Sequence, residues 1–316
     1  MPAAIMSLFS ILIFPGMLFL MVFGLAAEYI DRKLHARLQN RVGPPWFQPL
    51  ADFIKLASKE EILPSQASAV VFKLMPVVAF TAILTAVLYI PMWGAEGLYS
   101  FQGDLVVVLY LLTIPTLTFF MAGWYSGSTY SMLGAARSIM QLFAYEVPLF
   151  LGILGPSILA NTWQLSGVIA YYTQHPERTL FNVIGLFVSL IALLGKLEKV
   201  PFDIPEAETE IVAGSFTEYS GRLLAMFRMA LDVEMVVGAT LLAAVFLPFG
   251  MNLPFAAAFV VYILRVLVII VALSILRTIF ARLRIDQMID FCWKYIAPLA
   301  FVQVLIDLAL KGALGR

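Results

Sequence analysis

Long apolar runs recur along the chain, separated by shorter polar segments. Crossing a bilayer as a helix takes about 20 predominantly apolar residues. Eight runs meet that length, at roughly 7–27, 70–93, 104–124, 139–160, 180–197, 223–248, 252–275 and 290–311. The first has Gly24-Leu25-Ala26-Ala27 at its end, which looks like a signal-peptide cleavage site. No Lys or Arg precedes it, so it is expected to be a retained helix. A different pattern follows it. From Pro49 to Glu61, Leu50, Phe53, Ile54 and Ala57 recur at helical spacing, while Asp52, Lys55, Ser58 and Lys59 fall elsewhere on the wheel. That is an amphipathic helix suited to a membrane interface. The pattern predicts an all-α, polytopic membrane protein, a single membrane domain over 1–316 with loops at 28–69, 125–138, 198–222 and 276–289.

Composition agrees. Of 316 residues, 62% are hydrophobic and 13% charged, where soluble domains carry about 25% charged. The basic residues are not evenly spread. Sixteen of the twenty fall in or beside those four loops, and three (Arg178, Lys311, Arg316) on the other side, with Arg265 inside a helix. The positive-inside rule puts the four loops in the cytoplasm and both termini outside. Twenty acids balance twenty bases, so no global field calls for nucleic acid. One cysteine, Cys292, and two distant histidines, His35 and His175, offer no ligand set for a redox centre or metal in this chain, and no catalytic residue is expected.

The acids concentrate in the third loop, Val200-Pro-Phe-Asp-Ile-Pro-Glu-Ala-Glu-Thr-Glu-Ile-Val-Ala-Gly214. Asp203, Glu206, Glu208, Glu210 and Glu218 lie within sixteen residues. A helix starting near Ile204 would take Asp203 as its N-cap and Glu206 at its third position, a capping box. Glu206 and Glu210 would then sit one turn apart, and carboxylates that close can hold and pass protons. Further charges lie inside helices: Glu146, Asp232, Glu234 and Arg265. An ionisable group at a helix centre costs about 2.5–3.5 kcal/mol on insertion scales, so it faces a polar interior or a partner. Arg265 is expected either to neutralise one of these acids or to join their path. Asp307 and Lys311, at i and i+4, are expected to pair. The expectation is a buried polar line from the third loop through Glu146 to Asp232 and Glu234.

These segments carry a resemblance. Pro201-Phe-Asp-Ile-Pro-Glu-Ala-Glu208 with Glu218-Tyr-Ser-Gly221 resembles the core motif of the H subunit of bacterial respiratory complex I. So do Arg41-Val-Gly-Pro44 with Gln48-Pro-Leu-Ala-Asp52, Gln141 with Tyr145-Glu146, and Arg284-Ile-Asp-Gln-Met288 with Trp293-Lys294. The family includes the membrane anchor subunits of group 4 energy-converting NiFe hydrogenases and their sulfur-reducing relatives. Only Pro45-Trp46-Phe47 separates the first two segments, as in the hydrogenase form, and Leu231 stands where complex I members usually carry an acid. The resemblance implies a non-redox anchor subunit that couples electron transfer to proton or sodium movement. Its partners would be small and large hydrogenase-like subunits of a peripheral arm and antiporter-like membrane subunits. Those partners would hold an iron–sulfur cluster and, in the hydrogenase form, a NiFe centre. Glu146, Glu206, Glu208 and Glu210 would belong to the coupling path, and Arg37, Arg41, Asp52, Arg282 and Asp286 would face the peripheral arm. The alternative is the quinone-site subunit of complex I. A third reading, an autonomous secondary transporter, has only the membrane spans in its favour.

Overall fold

The computed structural model describes the backbone of residues 3–314 and the side chains of 8–207 and 210–313. Among the described residues, eight helical segments are long and apolar enough to cross a membrane. The first is formed by α1 (Ala3–Leu12) and α2 (Met17–Leu38), joined by a turn. The amphipathic helix α3 (Gln48–Ala57) has a proline in its first turn, where no helical N–H is needed. It leaves Leu50 and Ile54 exposed and packs Phe53 against the core, as an interfacial helix does. Then come α4 (Ala69–Val87), α5 (Asp104–Trp124) and α6 (Thr129–Ala160). The short α7 (Leu165–Gln174) and a 3-10 turn, Pro176–Asn182, lead into α8 (Val183–Lys196). The single turn α9 (Glu208–Ile211) lies in the acid-rich loop. Helices α10 (Gly221–Phe246) and α11 (Phe255–Ile279) follow. The last span is α12 (Ile285–Phe291), a π-turn Cys292–Ile296 and α13 (Ala297–Leu314).

Helix α10 is the hub. From Val233 to Phe246 every side chain is buried, because α2, α4, α8 and α11 all pack on it. Its approach to α2 is close: a Cβ on Gly24 would stand 3.3 Å from the Asp232 backbone. The two ends of the bundle differ. One, the loop face, carries α3, the acid-rich loop and the basic segments; the other, the terminal face, carries α7 and the last turns of α13.

Two helices run further than the hydropathy pattern predicts. α2 continues through Glu28 to Leu38, and α6 begins at Thr129, ten residues before its expected start. At 1.5 Å per residue α6 spans about 48 Å, well beyond a hydrocarbon core of about 30 Å. Hydropathy ends a span where charge begins, but these charges are paired across helices, so helical backbone persists beyond the apolar layer. The acid-rich loop also departs from expectation. No helix starts at Ile204, so Asp203 and Glu206 do not form a capping box; the residue before the first helical position is Ala207. Tertiary contacts hold the loop instead. Gly214 has φ +55°, and a Cβ there would stand 1.7 Å from the Pro205 carbonyl oxygen. The loop is folded back on itself at a point only glycine can occupy.

Candidate functional site

The loop face opens into a cavity of about 530 Å³ between α2, α3, the α8–α9 connection, α10 and α11. Two charge networks meet on its walls. The first begins at Asp31 on α2, which is buried. Its Oδ1 accepts from Ser274 Oγ at 2.6 Å, and its Oδ2 from Lys199 Nζ at 2.6 Å and Arg277 NH1 at 2.7 Å. Lys199 also reaches Glu28 Oε2 at 3.0 Å, and Arg32 Nε donates to Glu28 Oε1 at 2.6 Å. Arg32 NH1 then donates to Asp52 Oδ2 at 3.0 Å, which ties α3 to the bundle. Burial works against the Lys199 ammonium, but the Glu28 and Asp31 carboxylates outweigh it and hold its pKa above the ordinary value. Every member is matched by an opposite charge.

The second network holds acids in excess. Glu198, buried in the α8–α9 connection, accepts from Ser138 Oγ at 3.3 Å. Burial, with the carboxylates of Glu206 and Glu234 nearby, pushes the Glu198 carboxyl up to about 8. Behind it, Lys196 Nζ pairs with Glu234 Oε1 at 3.2 Å, both side chains fully buried. The ammonium also donates to the Leu112 carbonyl oxygen and lies 5.7 Å from the centre of the Tyr145 ring, a cation–π contact. Tyr145 Oη shares a hydrogen bond of 2.9 Å with Thr116. Both carboxylate oxygens of Glu146 are buried and make no hydrogen bond among the described residues. One ammonium thus serves the inner ends of two carboxylates, Glu234 directly and Glu146 through its field.

Local structure sets these positions. Gln141 Nε2 donates to the carbonyls of Gly195 and Phe202 at 2.6 and 2.8 Å, pinning the end of α8 and the start of the acid-rich loop to α6. At the loop's far end Tyr219 stacks on Phe72 with ring centres 3.9 Å apart and donates to the Phe72 carbonyl at 3.1 Å. The loop is therefore fixed at both ends beside the cavity.

A sequence model of the NADH dehydrogenase family matches residues 10–308. The chain belongs to that family. Among its curated relatives, the H subunit of NADH-quinone oxidoreductase from Carboxydothermus hydrogenoformans is 33% identical, covering 91% of this chain and 85% of the relative. NADH-quinone oxidoreductase subunit 8 of Thermus thermophilus is 33% identical over 88% of this chain and 80% of its own. Among solved structures, a chain of the membrane-bound sulfane sulfur reductase, an archaeal respiratory membrane complex, is 26% identical with a TM-score of 0.82. That likeness covers 92% of this chain and 96% of the other. Both branches of the resemblance drawn from the motifs, the complex I type and the sulfur-reducing relatives, appear among these similar proteins.

Within this family member the acids expected in one line are divided. Asp232 lines the cavity with Glu28 and Arg32, whereas Glu234, two residues on, is buried on another side of α10 beside Lys196. Two residues turn a helix by about 200°, so the pair cannot share a face. Glu206 lines the cavity and pairs with Arg228 at 2.9 Å. Glu210 does not sit one turn from it: it is exposed on α9 and paired with Arg137 at 2.7 Å, which holds its carboxyl below the ordinary value. Asp203 pairs with Arg282 at 2.9 Å, yet burial leaves its carboxyl above the ordinary value. The Glu208 side chain lies outside the described residues. Arg265 pairs with no acid among the described residues; it donates to the backbone carbonyls of Leu247 and Met92 at 3.0 and 2.8 Å, near the terminal face. Asp307 and Lys311 do not pair either: Asp307 is bonded by Gln303, and Lys311 Nζ by Asn161 Oδ1 at 2.8 Å.

Of the residues expected to face a peripheral arm, Arg37 is exposed in the last turn of α2 and Arg41 just beyond it, and Asp52 closes the first network. Arg282 and Asp286 line a second, smaller pocket with Arg137 and Glu210. Sequence reasoning missed Glu28, Asp31, Lys196, Glu198 and Lys199. The spacing of Glu28 and Arg32 at i and i+4 signals a helical ion pair, and Glu28 and Asp31 at i and i+3 share a face. Lys196, Glu198 and Lys199 carry no such local signal.

Proposed function

We propose that this chain is the membrane anchor and coupling subunit of an energy-converting respiratory complex of the hydrogenase or sulfane-sulfur-reductase kind. It would link electron transfer in a peripheral arm to translocation of protons or sodium ions. The observation that carries the reading is the continuity of the site. A cavity on the basic loop face adjoins Glu198, and behind Glu198 lie the buried Glu234–Lys196 pair and Glu146. A charge change in the cavity is felt by the acids within, because buried groups are screened little by solvent. The peripheral arm, with its iron–sulfur cluster and any NiFe centre, belongs to partner subunits seated on Arg37, Arg41 and the Arg282–Asp286 segment, and antiporter-like subunits receive the coupling in the bilayer. The basic bias supports a cytoplasmic loop face, with the terminal face on the outer side of the cell membrane.

Glu146→Gln in the native complex is expected to leave electron transfer in place and to remove the ion gradient it drives. An unaltered gradient would sink the coupling role. A second reading, a quinone-site subunit, is favoured by the cavity itself. Its volume lies within the range of small-molecule sites, and Phe53, Leu56, Leu197, Met229 and Leu231 give it an apolar wall. Gentle extraction with subunit and metal analysis separates the two: sulfur reduction or hydrogen evolution supports the first, quinone reduction the second.

A further inference from the structure

A buried carboxyl group lies far from the cavity, near the terminal face. Asp307 on α13 is 0% exposed. It fits against α6 at Gly155, where a Cβ would stand 2.5 Å from Asp307 Oδ2. Gly155 is nine residues beyond Glu146 on α6, about 13.5 Å along the axis, so the two acids occupy different depths.

The hydrogen-bond accounting around Asp307 does not close. The Gln303 amide, also 0% exposed, has two hydrogens on Nε2. Four oxygens surround that nitrogen: Phe181 O at 2.9 Å, Asp307 Oδ2 at 2.9 Å, Asp307 Oδ1 at 3.0 Å and Asn182 Oδ1 at 3.4 Å. Gln303 Oε1, in the same pocket, accepts from nothing among the described residues. The neighbouring donors are engaged elsewhere: Asn182 Nδ2 gives to Tyr172 Oη at 2.8 Å, and Tyr172 Oη to Pro156 O at 3.2 Å. Acceptors outnumber hydrogens, and buried acceptors without donors are costly.

The charges facing the group do not help. On α13, Lys311 is held by Asn161. Beyond α7, Arg178 is held by Tyr171 and pairs with Glu177 at 3.8 Å. α7 contributes the Tyr172 phenol, and α6 contributes Gly155 and Pro156, which carry no charge. No cation pairs with Asp307 among the described residues, and an unpaired carboxylate in the bilayer interior is expensive. One proton on the carboxyl removes an acceptor, adds a donor and cancels the charge.

We infer that Asp307, with Gln303 and Asn182, forms a proton-binding site in the terminal half of the membrane, separate from the cavity. The proton adds to a carboxylate oxygen from the medium on the terminal face and returns to it. Asp307 lies one turn below Lys311, which is half-buried, donates to Asn161 Oδ1 and is followed by exposed Gly312 and Ala313 at that surface.

The test is infrared difference spectroscopy on membrane vesicles containing the whole complex, with the pH stepped on one side and clamped on the other. Wild type is expected to show a carboxylic C=O band that follows the pH of the terminal-face medium. Asp307→Asn is expected to abolish it, and Gln303→Leu, which keeps the carboxyl, to shift it. Should the asparagine chain fail to assemble, the leucine variant still decides. A band that persists in Asp307→Asn, stays unshifted in Gln303→Leu or follows only the loop-face pH would overturn the site. A band that answers to sodium at constant pH would replace the proton with a metal cation and overturn it equally. None of these outcomes depends on whether the complex reduces sulfur, protons or quinone.

Discussion

Replacing Glu198 with glutamine is expected to remove a pH dependence from the fold. Its carboxyl stands at about 8 rather than the ordinary 4.5, because it is buried and faces Glu206 and Glu234. A carboxyl raised in this way favours the folded chain fully below pH 4.5, where both states hold the proton. That contribution is lost as the pH climbs through the unfolded value toward 8. Each unit crossed costs about 1.4 kcal/mol, so the window amounts to about 5 kcal/mol. At pH 7 about nine in ten folded molecules still carry the proton, which makes Glu198 a neutral group within reach of deprotonation. Glutamine preserves the size of the side chain and an acceptor for Ser138, and it cannot ionise. The assay is the melting temperature of the solubilised complex at pH 5, 6.5 and 8 for both chains. Wild type should lose stability relative to Glu198→Gln by about 1.4 kcal/mol per unit across that range. A difference that stays flat from pH 5 to 8 would refute the reasoning.

Three other changes have defined outcomes. Lys196→Met leaves Glu234 buried without its partner and should cost about 3–5 kcal/mol; Lys196→Met with Glu234→Gln should recover most of that loss, as read from complex yield and melting temperature. Asp52→Ala severs α3 from Arg32 and should make the segment after Ala57 more sensitive to limited proteolysis while the melting temperature falls by only a few degrees, since a half-exposed ion pair contributes about 1 kcal/mol or less. Gly214→Ala forces a Cβ into the Pro205 carbonyl; cysteine labelling at Glu210→Cys should then change rate, and an unchanged rate would show that the loop turns without needing glycine there.

Much of the fold was legible because a bilayer demands it. Each span must present an apolar surface about 20 residues long, and 104–124 coincides with α5. What hydropathy could not give was where helix continues after the apolar layer ends. Glu28 and Asp31 stop an apolar run, yet their charges close on Lys199 and Arg277, residues far along the chain. The candidate site was legible in its parts rather than its connections. Glu146 and Glu234 stand out because charge inside a span is costly. Lys196, which joins them, reads as one more basic residue at a loop boundary. The capping box at Asp203 failed because a cap is a local preference of about 1 kcal/mol, and ion pairs to Arg282 and Arg228 with the turn at Gly214 outweigh it.

The division of Asp232 from Glu234 shows why α10 sits at the centre. Its polar residues face two environments: Asp232 a cavity whose charges are matched by Lys199, Arg32 and Arg277, and Glu234 an interior with one lysine. Glu198 lies between them in the connection leading from α8, whose last residue is Lys196. Glu198 lines the cavity, and with its carboxyl held up to about 8 by burial and by the carboxylates of Glu206 and Glu234 it keeps its proton at neutral pH. Loss of that proton adds a carboxylate beside Glu234 and raises the demand on Lys196, the only ammonium among the described residues that pairs with Glu234. Glu146, whose carboxylate oxygens make no hydrogen bond among the described residues, lies in the field of the same lysine. The sequence of groups from cavity to membrane interior is thus fixed by packing on one helix, and the helical period alone separates its two ends.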